Sequence, residues 1–266
     1  MTLDKIARGG LVMLGCGKMG SAMLQGWLDG GLPASSVGVI DPAPSDWLRG
    51  TGVALETMPA SPAVAVVAVK PQMMEAALPR LVPYGGGPTL ILSVAAGTPI
   101  PAFETALGPG TPVVRAMPNT PAAIGRGITA IVGNDAAGPE GLDAAETLLG
   151  AVGEVVRLND EDQIDAVTGV SGSGPAYVFH LIEALAAAGE AEGLSPDLSM
   201  RLAKATVAGA GQLAIAAEEG PDRLRANVTS PGGTTQAGLE VLMPELGDLM
   251  RRTVSAAASR SRELRA

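Results

Sequence analysis

Beyond Asp160 this chain stops spelling out strands, and that change of pattern limits its fold more than any motif does. Up to that point short apolar runs alternate with helical stretches: Leu11–Leu14, Val37–Ile40, residues 63–69, 89–94, Val113-Val114, 128–132 and Val155-Val156. Continuous apolar strands separated by helices predict an α/β architecture, a parallel sheet covered on both faces. After Asp160-Glu161-Asp162 come long Ala/Leu helices over 175–193, 196–219 and 234 onward. Proline at a helix start and glycine just past its end frame them. The expected division is 1–160 and 161–266, the second domain all-α.

Composition sharpens the second half. Apolar residues make up 47% of the 266 residues and aromatics 2%, so the core must be built from Ala, Val, Leu, Ile and Met. The helix over 196–219 is apolar around much of its circumference, through Leu198, Met200, Leu202, Ala203, Ala205, Val207, Ala208, Ala210, Leu213 and Ile215. A helix apolar all round needs cover on all sides. The few helices beside it are too few to give that, so an obligate homodimer through the C-terminal helices is expected. The net charge of −9, without a basic stripe, argues against nucleic-acid binding. The single cysteine, Cys16, fits a reducing, cytoplasmic setting. Residues 81–103 carry no charge, but Gly85-Gly86-Gly87-Pro88, Pro99 and Pro101 break them, so no membrane span is expected.

Two glycine-rich turns carry the chemistry. Gly15-Cys16-Gly17-Lys18-Met19-Gly20 follows one predicted strand and opens a helix. In that setting Gly15 allows a tight turn, Gly17 lets a pyrophosphate approach, and Gly20 lets helix and strand pack closely. Asp41 ends the second strand, where a carboxylate accepts from a ribose 2′-OH and repels a 2′-phosphate; it equally suits a turn cap before Pro42. This weighs toward NADH over NADPH. Ala68-Val69-Lys70-Pro71 and Val94-Ala95-Ala96-Gly97 place small residues at strand ends, leaving room for a flat ring; Lys70 is either a cofactor contact or a solvated charge. Near the other end lies Thr229-Ser230-Pro231-Gly232-Gly233-Thr234-Thr235, before a helical run. Free N–H groups and the positive end of a helix suit a small carboxylate.

These motifs, with Ser93 to Gly97, Arg115-Ala116-Met117-Pro118-Asn119-Thr120-Pro121, Asp165-Ala166-Val167-Thr168-Gly169-Val170-Ser171-Gly172-Ser173-Gly174-Pro175-Ala176-Tyr177 and Ser230 to Thr235, resemble the pyrroline-5-carboxylate reductase family over nearly the whole length. The resemblance implies reduction of the cyclic imine 1-pyrroline-5-carboxylate to L-proline with NADH or NADPH. It implies a Rossmann-like, doubly wound N-terminal domain and a helical dimerisation domain, with dimers that often assemble into decamers. By the same resemblance Gly15, Cys16, Gly17, Lys18 and Met19, then Ala68, Val69, Lys70 and Pro71, line the cofactor. Val94, Ala95 and Ala96 lie against the nicotinamide with Asn119 nearby, and Glu161, Asn227, Thr234 and Thr235 surround the substrate. NADPH-using members tend to carry small polar residues or Asn-Arg after the second strand, and often an Asn before the third. Here Asp41-Pro42 and Glu56-Thr57-Met58-Pro59 stand instead, in keeping with the Asp41 argument.

Reduction of an imine needs a hydride on carbon and a proton on nitrogen. The Thr235 hydroxyl is the expected orienting group for the ring nitrogen, and the N–H groups from Ser230 through Gly232 and Gly233 to Thr234 are expected to hold the carboxylate. One histidine, His180, and one cysteine give no basis for a metal site. Ser171 and Ser173 lack a histidine partner, so they read as a close-packed turn. Tyr177 reads as a packing residue, and Glu161 as either a ring-nitrogen acceptor or a helix cap. Two competing readings are another imine or 2-hydroxy-acid reductase, with Lys204 on the long helix as acid, and an inactive dinucleotide-binding regulator.

Overall fold

The computed structural model describes residues 2–265. The chain divides into two compact units. One holds the chain up to Gly172 together with residues from Ala257 onward; the other is Ser173–Ala256. The sequence boundary at Asp160 thus lies twelve residues short of this division, because α7 (Gln163–Val167) and the π-helical turn Thr168–Gly172 belong to the first unit.

The first unit is an eight-stranded sheet in the order β3-β2-β1-β4-β5-β6-β7-β8. Its strands are β1 (Leu11–Leu14), β2 (Val37–Ile40), β3 (Ala54–Leu55), β4 (Val64–Val67), β5 (Leu90–Ser93), β6 (Val113–Met117), β7 (Gly127–Gly133) and β8 (Gly153–Arg157). The central strands β1, β2, β4 and β5 are buried along their whole length, as their unbroken apolar runs require. Two strands depart from the expected parallel sheet: β7 runs antiparallel to β6, with Arg115 opposite Val132, and β8 keeps the direction of β7. The connection from Met117 to Gly127 is too short for a crossover helix, so the chain must turn straight back. β8 then pairs parallel to β7.

Alternate residues of each strand feed two cores, one per face. Leu11, Met13, Val64 and Val66 pack with Met23, Leu24 and Trp27 of α2 (Lys18–Asp29) and with Ala144, Ala145 and Leu148 of α6 (Gly138–Leu149). Val12, Leu14, Ala65 and Val67 pack with Met74, Ala77 and Leu81 of α4 (Met74–Leu81) and with Phe103 and Leu107 of α5 (Ile100–Leu107). Each fully buried Val, Leu, Ile, Phe or Met contributes about 1.5–3 kcal/mol. Trp27 is fully buried, and its indole Nε1 donates to the Leu148 carbonyl at 2.7 Å, fastening α2 to α6. A short helix α1 (Leu3–Gly9) packs Ile6 into the first core.

The second unit contains α8 (Gly174–Ala191), α9 (Pro196–Ala216), α10 (Pro221–Asn227) and most of α11 (Thr234–Glu263). The helix expected over 196–219 ends at Ala216, and α10 is an element that the sequence pattern did not show. No residue of this unit enters either core. Phe179, Leu181, Leu185, Leu198, Leu202, Leu213, Ile215 and Val241 are all exposed in the single chain. On α9, Ser199 and Ala203 are the buried residues. No described helix is long and apolar enough to cross a membrane.

Candidate active site

At the carboxyl end of β1 the chain turns through Gly15, whose φ of +83° lies in the region that favours glycine. A Cβ there would stand 2.7 Å from the Ala68 carbonyl oxygen, and one on Gly20 would stand 2.7 Å from that of Gly15. Gly17 differs: its Cβ would meet nothing within 4 Å. The loop therefore uses two glycines to pack and leaves the third facing open space, at the N-terminus of α2. The N–H groups of Gly17, Lys18 and Met19 have no partner among the described residues. Free amides at a helix start, with no side chain in the way, fit a pyrophosphate.

Asp41 braces this loop. Its Oδ2 accepts from Cys16 N–H at 2.6 Å, and its Oδ1 accepts from Ala43 N–H at 2.9 Å. The turn-capping geometry weighed for Asp41 is therefore present. A carboxylate has about four lone-pair sites, so two accepted bonds leave capacity for a ribose hydroxyl. The Cys16 thiol is buried against this carboxylate, and burial first, then the Asp41 charge, pushes its pKa up to about 11.

Beside Asp41 a hollow of about 170 Å³ opens at the ends of β1, β2 and β4. It is lined by Leu14, Ile40, Pro42, Glu56, Val69, Met73 and Arg80, among others. Farther along the sheet, Ala68 N–H donates to Leu14 O at 2.8 Å and Val94 N–H to Val67 O at 3.0 Å, so both strand ends are held in ladder register. Ala95 is buried while Ala96 and Lys70 are exposed. Pro71 opens a 3-10 turn directly after Lys70. Asn119 is nearly buried, and its Oδ1 accepts from Ile128 N–H at 3.0 Å, bracing the start of β7.

Glu161 lies in the first unit. Its Oε1 accepts from Ile100 N–H at 3.0 Å, capping α5, and pairs with Arg115 Nη1 at 2.6 Å. Arg115 is 3% exposed. Its pairing could have been expected from one signal: it is the charged residue inside an otherwise apolar strand, and a buried charge demands a partner. The helix-capping geometry among its two sequence readings is thus present.

The second unit carries the second glycine-rich turn. Gly232, at φ +70°, turns the chain into α11, and Gly233 N–H closes a turn on Ser230 O at 3.0 Å. Gly232 N–H is taken by Gln236 Oε1 at 2.7 Å, a reach-back cap that the sequence reading overlooked. Two of the N–H groups assigned to the carboxylate are thus satisfied internally. Those of Thr234 and Thr235 have no partner among the described residues, and both side chains are exposed. Asn227, also exposed, donates weakly to Glu219 at 3.4 Å. His180 pairs with Glu183 at 3.1 Å on the outer surface of α8, and Lys204 is exposed on α9. No cluster of metal-ligating residues occurs among the described residues.

Comparison with known proteins bears on the family and the fold. Residues 161–264 match the family described as pyrroline-5-carboxylate reductase dimerisation, and residues 10–97 match NADP oxidoreductase, coenzyme F420-dependent. The pyrroline-5-carboxylate reductase of Pseudomonas aeruginosa is 39% identical over 262 residues, covering 96% of each chain. A structure of a pyrroline-5-carboxylate reductase from Coxiella burnetii superposes with a TM-score of 0.91 at 32% identity, covering 97% of this chain and 99% of that one. The Plasmodium falciparum pyrroline carboxylate reductase, solved with NADP bound, gives a TM-score of 0.85 at 26% identity and covers 98% of this chain and all of the other. A parallel-dominated sheet with a glycine turn open at Gly17, a helical dimerisation domain and a likeness that runs from end to end place this chain in the pyrroline-5-carboxylate reductase family.

Proposed function

We infer that this chain reduces 1-pyrroline-5-carboxylate to L-proline with a reduced nicotinamide dinucleotide. The observation that carries the reading is the likeness to curated reductases of this name across 96% of the chain. When bound, the cofactor supplies the hydride. The free amides of Gly17, Lys18 and Met19 hold its pyrophosphate, and Asp41 takes a ribose hydroxyl while keeping the loop in shape. Ala68 to Pro71 and Val94 to Ala96, with Asn119 behind, flank the reactive ring.

The substrate is a five-membered imine bearing a carboxylate. The free N–H groups of Thr234 and Thr235, at the positive end of the 30-residue α11, hold that carboxylate. The Thr235 hydroxyl hydrogen-bonds the ring nitrogen and fixes the imine carbon for attack. If the imine enters protonated, hydride transfer neutralises it and no strong acid is required of the protein. Glu161 braces α5 and Arg115 rather than touching the imine. Because Asp41 disfavours a 2′-phosphate, NADH is the preferred cofactor. The exposed apolar residues of α8, α9 and α11 are buried in a homodimer through these helices.

A paired steady-state assay with pyrroline-5-carboxylate and each dinucleotide tests the reading. Turnover with both, higher kcat/KM for NADH, and a fall of about 10- to 100-fold in Thr235→Ala are expected, the loss of one hydrogen bond to a charged group. Preference for NADPH would remove the role given to Asp41. Absence of turnover in folded protein would remove the reaction.

A further inference from the structure

Glu56 is the one non-glycine residue at positive φ among the described residues, at +53°. An L side chain is strained there, and such strain gathers where a structure must aim a side chain. The backbone holds the position: Glu56 N–H donates to Val39 O at 2.9 Å. The side chain then reaches the end of β2, where Oε1 accepts from the backbone N–H of Asp41 at 3.1 Å. Its other oxygen, Oε2, lies 3.8 Å from Nη1 of Arg80, in the last turn of α4. Glu56 and Arg80 both line the hollow, as do Ile40 and Pro42 on either side of Asp41, and Arg80 is the cation among its lining residues.

We propose that Glu56 and Arg80 form a charge gate at the adenosine end of the cofactor site, in which Glu56 excludes a 2′-phosphate by occupying the arginine that would receive it. This rests on the reading of the hollow as the adenosine end and deepens the preference assigned to Asp41. The physical reason is a competition for one guanidinium. An arginine beside the second strand is what accommodates a 2′-phosphate in this fold class. Here that arginine faces a carboxylate of its own chain. A phosphate arriving at the 2′ position meets two negative groups, Asp41 and Glu56, and a cation already paired. A ribose 2′-OH meets two acceptors and no penalty. The Glu56 side chain is 57% and the Arg80 side chain 50% exposed, so the pair is loose and dissolves when one partner is neutralised.

The test is a four-variant cycle on the full chain: wild type, Glu56→Gln, Arg80→Ala and the double variant. Each is assayed with NADH and NADPH, and each cofactor's Kd is measured by fluorescence titration at two salt concentrations. Glu56→Gln keeps the bond from Asp41 N–H, so the fold is retained while the charge is lost. The ratio of NADPH to NADH kcat/KM is expected to rise about two- to fivefold in Glu56→Gln, the scale of an exposed charge pair. Arg80→Ala is expected to move the ratio little by itself and to cancel the rise in the double variant, with the salt dependence of NADPH binding steepest in Glu56→Gln. An unchanged ratio in Glu56→Gln, or a rise that survives loss of Arg80, would overturn the gate. Wild-type preference for NADPH would overturn the gate and the Asp41 reading together, whereas a preference for NADH that Glu56→Gln leaves unmoved would overturn the gate alone, so the two failures are separable.

Discussion

Asp41 and Cys16, 25 residues apart in sequence, are joined by a 2.6 Å hydrogen bond from the Cys16 amide to the Asp41 carboxylate. The end of the second strand thereby sets the shape of the turn after the first. The side chain proposed to take the ribose hydroxyl is thus also the one that holds the loop in shape.

Replacing Asp41 should therefore disturb both. Asp41→Ala frees the amides of Cys16 and Ala43 and removes the proposed ribose acceptor. We expect KM for NADH to rise about tenfold or more, on the scale of a hydrogen bond to a charged group, with kcat little changed. Asp41→Asn, which retains an acceptor for the loop, should fall between. Initial-rate kinetics at saturating imine give the comparison; a kcat loss at unchanged KM would contradict it.

The Cys16 thiol has a folded pKa of about 11 against an ordinary 9.0. A raised acid pKa means the folded state keeps its proton where the unfolded state has lost it. The stabilisation is full below pH 9 and disappears as pH rises to about 11. Thermal melts should show wild type losing stability relative to Cys16→Ala across that window and not below it. In the folded protein at neutral pH, iodoacetamide should label Cys16 far more slowly than after unfolding.

Arg115 and Glu161 join β6 to the segment after β8 and cap α5 as they do so. Removing one member of such a pair strands the other. Glu161→Ala should cost about 3–5 kcal/mol in urea unfolding, because Arg115 is left buried without its partner. Glu161→Gln should cost less and leave KM for the imine unchanged. A raised imine KM, with cofactor KM intact, would move Glu161 to the substrate.

A helical unit without a core of its own depends on association. Leu213, 55% exposed, and Ile215, 87% exposed, stand on α9. Leu213→Glu should give monomers in sedimentation analysis together with lost helical ellipticity. Wild-type Tm should rise with protein concentration. A monomer of undiminished helicity would contradict this reading.

The strands legible in the sequence were those whose burial on both faces leaves unbroken apolar runs, Leu11–Leu14 and Val64–Val67 foremost. The direction of β7 was not legible from its own residues, because an apolar run looks the same in either pairing; the short connection before it held the information. The two-residue β3 and the seven-residue α10 are too brief for periodicity to mark. At the site, the glycines declared themselves because turn geometry demands a residue type. Gln236 did not, since a glutamine that satisfies Gly232 reads like any polar helix residue. Nor did Glu56, whose backbone angle, rather than its identity, directs it to Asp41.

Asp165 is fully buried in the first unit, where Ser261 donates to it at 2.7 Å and Arg265 pairs with it. Its arginine lies 100 residues downstream, after the whole helical unit has been written. During synthesis the site of Asp165 therefore stays incomplete until Ser261 and Arg265 have been made. The sheet can assemble early, but its last charge is matched late. Translation order thus makes completion of the nucleotide-binding half follow emergence of the helices that dimerise.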